Sequence, residues 1–167
     1  MRRLLFLIPL GVLLGIIGWV VVARATSRSI DGIPCDFNEG STYHVHAHLA
    51  IVVRGQSHTP PASVGIHPEH LCLYWLHTHD ASGIIHIEAP HHISPTLGQF
   101  FAIWGQPLSR RQIARYSVGQ GETVRVYVNH QRYRGTPDGI SLGFHTTVTL
   151  EIGPPFVAPQ PVVWHGL

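Results

Sequence analysis

The chain has 167 residues, with eleven arginines against nine acidic residues, fourteen histidines and no lysine. The missing lysine excludes lysine Schiff-base chemistry and the lysine-containing phosphate loop. No arginine stripe is interleaved with aromatics, which argues against nucleic acid as a partner, and with Met1 as the only methionine neither a blue-copper centre with an axial methionine nor a methionine-rich Cu(I) site can be built.

Arg2-Arg3 is followed by Leu4 through Ala23, an uncharged run that as a helix reaches about 30 Å, the thickness of a bilayer core. Residues 1–25 therefore read as a single N-terminal transmembrane anchor. Ala23-Arg24-Ala25 also has the small-x-small pattern of a signal-peptidase site, but the apolar run exceeds the length usual in a signal peptide, which favours retention. Arg2 and Arg3 on one side face Arg24 and Arg28 on the other, so charge hardly separates the orientations. The short N-terminus favours an inside start, which puts the remaining residues on the periplasmic or extracytoplasmic side of the inner membrane. Arg2, Arg3 and Arg24 belong to the anchor, leaving eight arginines against nine acids, so the exported part is near neutral.

Residues 26–42 read as a linker carrying Cys35. Cys35 and Cys72 form an even pair, as an oxidising compartment allows, and a disulfide between them would tether the post-anchor segment to the strand leading into His77. The competing role for Cys72 is a thiolate metal ligand.

Residues 43–153 are long enough for a single core, and strand signals dominate. Tyr43–Val53 alternates and then becomes apolar, Leu71–Leu76 is apolar and aromatic, Gly83–Ile87 is β-branched, and Thr123–Val128 and Thr146–Ile152 alternate cleanly between Gly, Pro, Asn and Asp turns. Ser94-Pro95-Thr96 reads as an N-cap followed by proline at the first helical position, with Leu97, Phe100, Phe101 and Trp104 on one face before Gly105. Ser109–Tyr116 is a candidate second short helix. The expected fold is all-β, an antiparallel sandwich or barrel-like sheet with one or two short helices. Residues 154–167 form a Pro-rich extended tail, a composition that stays disordered unless a surface holds it. An internal echo links Ala50–Gln56 to Val126–Gln131, and Ile85–Pro90 to Val148–Pro154, as two strand–turn–strand units would.

The chemistry lies in two histidine blocks. In a strand, His44, His46 and His48 share one face, roughly 6–7 Å apart. The second block repeats the period, with His77 and His79 on one face and His86 on one face with Glu88. Two such strands across a β-core would gather donors around a common point, as a transition metal requires. The favoured ligands are His46, His48, His77 and His79, with His44, His86 and Glu88 as further ligands or as acceptors that fix tautomers. Asp80 suits a cap on the Ala81-Ser82-Gly83 turn. His91 and His92, the tail of the second block, lie just before the helix and are expected to be exposed, and His58, His67, His70, His130, His145 and His165 carry no such pattern.

The segments His44-Val45-His46-Ala47-His48-Leu49, Leu76 through Pro90 and Thr96 through Gly105 resemble a group of uncharacterised, membrane-anchored, exported proteins of bacteria and archaea that share HxHxHL, LHTHDxSGIIHIExP and TLGQFFxIWG motifs. The resemblance covers about residues 43–105 and implies an exported domain whose histidine blocks belong together; it implies no activity. Asn129-His130 departs from the Asn-Gly more frequent there. The cupins are a weaker comparison, because Glu88 lies nine residues beyond His79 rather than a few. The α-class carbonic anhydrases share only the His-x-His element.

Imidazole donors with an optional carboxylate suit Zn(II) or Cu(II), with copper ahead on affinity order alone. Three functions follow: a non-catalytic, membrane-anchored metal-binding domain; an accessory single-pass subunit of a larger membrane complex, respiratory or photosynthetic; and a metal-dependent enzyme, the least favoured, since the chain has neither a nucleophile with an adjacent base at recognisable spacing nor a cofactor loop.

Overall fold

The computed structural model describes residues 28–39 and 42–164. The expected anchor falls on residues 1–25, outside them; among the described residues no helix is long and apolar enough to cross a membrane. In chain order the strands are β1 (Ser29–Ile30), β2 (Ile33–Asp36), β3 (Tyr43–Val53), β4 (Gln56–His58), β5 (Ile66–His67), β6 (Cys72–Tyr74), β7 (Leu76–His77) and β8 (Ile84–Ala89). The helix α1 (Leu97–Trp104) follows, then β9 (Gln112–Ile113), β10 (Tyr116–Ser117), β11 (Thr123–Val128), β12 (Gln131–Tyr133) and β13 (Thr146–Gly153).

The long alternating run became the organising strand. β3 lies inside a seven-stranded sheet of order β12-β11-β13-β3-β8-β7, with β4 paired to the far end of β3. Its odd positions, Ala47, Leu49, Ile51 and Val53, are buried with Ile85 and Ile87 of β8 and Val148, Leu150 and Ile152 of β13, and they pack with Leu97, Phe100 and Phe101 of α1. Its even positions, including all three histidines, face the other side. A second sheet of order β1-β2-β6-β5 carries the disulfide between Cys35 and Cys72, whose Cα atoms are 5.5 Å apart. The bond removes the thiolate-ligand alternative for Cys72.

Three expectations need correction. The main sheet is mixed rather than antiparallel throughout, because β13 runs parallel to β3, Thr146 opposite Ala47 through Ile152 opposite Val53. β3 and β13 are joined by everything between Val53 and Thr146, including α1, far more chain than the crossover a parallel pairing needs. The helix starts two residues later than the Ser94-Pro95 reading. Thr96 is the cap: its hydroxyl accepts from the Gln99 backbone N–H (3.3 Å), and the Gln99 side chain accepts from the Thr96 N–H (2.9 Å). Pro95 stands before the helix, and its carbonyl accepts from the Leu142 N–H at 2.8 Å. Ser109–Tyr116 is no helix but a turn leading into the β9–β10 hairpin. Ser109 Oγ accepts from the Arg111 and Gln112 N–H groups, and Ala114 has φ 48°, outside helical space.

The internal echo falls on equivalent pieces. β3–β4 and β11–β12 are hairpins joined by two-residue loops, Arg54-Gly55 and Asn129-His130, each with both φ values positive as a type I′ turn demands. β8 and β13 are the antiparallel neighbours of β3 and β11.

Candidate metal centre

Period two within each strand and the register between strands build this site together. β3 and β8 pair so that His44 faces Glu88, His46 faces His86 and His48 faces Ile84. β7 pairs on the other side of β8, with His77 opposite His86. A row of three imidazoles, His46, His86 and His77, therefore crosses three adjacent strands, with His44 and Glu88 in the next row. His79 reaches back over His86 just beyond the end of β7, their ring centroids 4.4 Å apart.

The turn between β7 and β8 fixes this register. Asp80 Oδ1 accepts from the Ser82 N–H at 2.8 Å, the capping role its sequence position suggested. Gly83 follows with φ 92°, and its carbonyl accepts from the Leu49 N–H at 2.9 Å. A Cβ on Gly83 would sit 2.7 Å from the Leu49 carbonyl oxygen and 2.8 Å from His48 Nε2, so only glycine lets the turn approach β3 this closely. Thr78, fully buried, anchors the end of β7 by donating to the Pro61 carbonyl (2.8 Å) and accepting from the Val64 N–H (3.0 Å).

Two groups of donors result: His77, His79, His86 and Glu88, and His44, His46 and His86. Within each group one ligand atom per residue lies within 4.8 Å of every other. His77 is held most firmly. It is buried, and its Nδ1–H donates to the Tyr74 carbonyl at 2.9 Å, which fixes the tautomer and leaves the Nε2 lone pair facing the cluster. His77 Nε2 lies 3.3 Å from His79 Nε2 and 3.8 Å from Glu88 Oε1. Glu88 Oε1 is also 3.1 Å from His44 Nε2 and 3.2 Å from His86 Nδ1, so one buried carboxylate oxygen reaches imidazoles on all three strands. His44 Nε2 and His46 Nε2 are 2.9 Å apart.

The electrostatics favour unprotonated imidazoles. Burial, followed by the charges that His79, His46, His77 and His44 would carry, pushes the His86 ring down to about 3. Burial, then His44, His145, His77 and His79, lowers His46 to about 4. Burial also lowers His77, against the pull of the Tyr74 carbonyl, and it raises Glu88, where His44 opposes it. At neutral pH His46, His77 and His86 thus present lone pairs without first losing a proton, the state metal coordination needs. A divalent ion held among these rings would also offset the charge of the Glu88 carboxylate.

Six of the seven residues singled out from the sequence are brought together: His44, His46, His77, His79, His86 and Glu88. His48 belongs to neither group. Opposite Ile84 and against the Gly83 turn, it lines a cleft of about 710 Å³ on the same sheet face, which also reaches His86. His86 and Glu88, read from the sequence as accessory, are central because β8 lies between the other two strands. The remaining described histidines with ring contacts pack elsewhere: His58 on Tyr116, His67 on Tyr74, His91 on Trp75, His92 on Tyr43, and His145 between Phe144 and Trp164. Sequence reasoning missed Glu39, whose carboxylate stands 3.7 Å from His79 Nε2. It lies in the linker, where no periodicity points to it. No family model, curated protein or solved structure matches this chain, so the chemistry of the site rests on its own geometry.

Proposed function

We propose that this chain is a membrane-anchored, extracytoplasmic domain that binds a transition metal, Cu or Zn, through the histidine cluster without catalysing a reaction. The observation that carries this reading is the convergence of His77, His79, His86 and Glu88 on one point, with the His77 tautomer fixed by the Tyr74 carbonyl. Imidazole and carboxylate donors in this number suit Zn(II) or Cu(II). The disulfide supports an oxidising compartment, and the apolar run Leu4–Ala23 supports the anchor.

The test is elemental analysis of the full-length protein, extracted from its native membrane without a histidine tag. At least about one equivalent of copper or zinc per chain is expected, and substituting His77 and His86 together by Ala should remove most of it. Protein that carries no metal and takes up none on titration would overturn the proposal. A native gel of the same extract addresses the accessory-subunit alternative. That alternative drew on a tail in need of a surface, and the tail has one on its own chain, where the Val157 N–H donates to Glu151 at 3.1 Å and Phe156 lies under Arg125.

Catalysis is a second reading with an observation behind it, the cleft that opens on His86. An exogenous ligand such as azide that perturbs the visible spectrum of the Cu(II) form would reveal an open coordination position, as metal catalysis requires. An unperturbed spectrum would count against an enzyme.

A further inference from the structure

The cluster holds more donors than a four-coordinate ion uses, and they are arranged about an axis. β8 is the central strand of three, and its His86 and Glu88 form a spine. On the β3 flank His44 and His46 bring their Nε2 atoms together at 2.9 Å; on the β7 flank His77 and His79 do the same at 3.3 Å. His86 stands midway, its ring centroid 4.6 Å from that of His46 and 4.4 Å from that of His79. Ligand bonds of about 2.0–2.2 Å allow donors on one ion to be at most roughly 4.4 Å apart. The six donors fall into two compact groups that share His86, rather than into one.

We propose that the site is a two-ion centre, with one divalent first-row metal ion on each flank of β8. His77, His79 and Glu88 would hold the first ion, His44 and His46 the second, and His86 lies between them as the shared residue. This deepens the metal-binding reading and rests on it. The carboxylates follow the same plan: buried Glu88 touches both flanks, and Glu39 adds a second negative charge beside His79, which offsets the repulsion between two cations in a partly buried site. Each flank also has an accessible ligand, since the His44 and His79 side chains are 47% and 43% exposed, so both subsites can be loaded from solvent. If His86 bridges through both ring nitrogens, it does so as imidazolate, with the one N–H proton of its neutral ring released to solvent as the second ion binds.

The experiment is a titration of the tag-free full chain in detergent with Zn(II), read by native mass spectrometry. It is repeated with Cu(II) and read by electron paramagnetic resonance. About two equivalents are expected at high affinity, and the doubly loaded copper form should show the half-field transition of two neighbouring spins. His44→Ala and His79→Ala, both at half-exposed positions that the fold does not need, should each lower the stoichiometry from about two to about one. A His91→Ala/His92→Ala variant should leave it unchanged. One equivalent that either single variant abolishes, or two equivalents without magnetic interaction, would overturn the two-ion centre and leave the metal-binding reading standing. No high-affinity uptake at all would overturn the metal-binding reading itself.

Discussion

Glu151 lacks the shared contacts that the carboxylate of Glu88 has in the donor cluster. It is fully buried on β13, its Oε1 accepts from the Val157 N–H, and its Oε2 has no hydrogen-bond partner. Burial pushes its carboxyl above the usual glutamate range, while the Val157 N–H, Arg125 and Arg132 pull the other way. A folded-state value above the unfolded one favours folding most below the unfolded pKa, and that contribution is lost as pH rises through the folded value. Glu151→Gln keeps an oxygen for Val157 and removes the charge. Its midpoint of thermal unfolding should exceed the wild type's by a few degrees at pH 7–8, and the gap should close as pH falls below about 4.5. Thermal melts of both proteins across that range check this; a variant no more stable than wild type at pH 8 would show that the orphaned oxygen is not a liability.

At the scale of elements, the strands and the faces of their histidines were legible because period two is local. Tyr43–Val53, Thr123–Val128 and Thr146–Gly153 form almost where alternation puts them. Register was not legible, since it is decided between residues about forty positions apart. One step of slippage between β3 and β8 would exchange the faces that meet, and nothing in the histidine blocks says that His48 must lie opposite Ile84 rather than His86. The β9–β10 hairpin escaped for a related reason: the left-handed Ala114 has no sequence signature. The device that selects the register is the Gly83 turn, and Gly83→Ala tests it. An alanine there must bear φ 92° and a Cβ 2.7 Å from the Leu49 carbonyl, so β8 has to shift along or away from β3. The expected cost is about 2 kcal/mol or more, with a loss of metal affinity as His86 and Glu88 leave His44 and His46. Gly32→Ala is the control. It has φ 78° but nothing within 4 Å of its Cβ, so it should incur only the dihedral strain and bind metal normally. Urea denaturation and metal titration of both variants would separate them; equal losses in the two would mean that the turn's close approach does not set the site.

Across the whole molecule, the two faces of the main sheet do different work. One buries the core against α1; the other carries the donor cluster at one end and the Pro-rich tail over the rest, with Trp164 stacked on His145 at 4.2 Å. The second sheet has strands of only two to four residues, too short to be stable alone, and the Cys35–Cys72 bond holds it together. That sheet leads directly into the site: Trp75, between β6 and β7, accepts from the Glu88 N–H at 2.9 Å, and Tyr74 fixes His77. Closing a loop with a sequence separation of 37 restricts the unfolded chain by about 3–4 kcal/mol in the chain-entropy account. Cys35→Ser/Cys72→Ser should lose about that much in chemical denaturation, and reductant should do the same to the wild type. Metal stoichiometry well below the unfolding midpoint should hold, because β3 and β8 set the ligand register within the main sheet. The β7 flank, tied to the second sheet through Tyr74 and Trp75, should bind more weakly than the β3 flank once the bond is cut. Titrating the His44→Ala and His79→Ala variants in the disulfide-free background measures the two flanks separately; equal weakening of both would mean that the second sheet supports the main sheet as a whole, with no separate hold on His77.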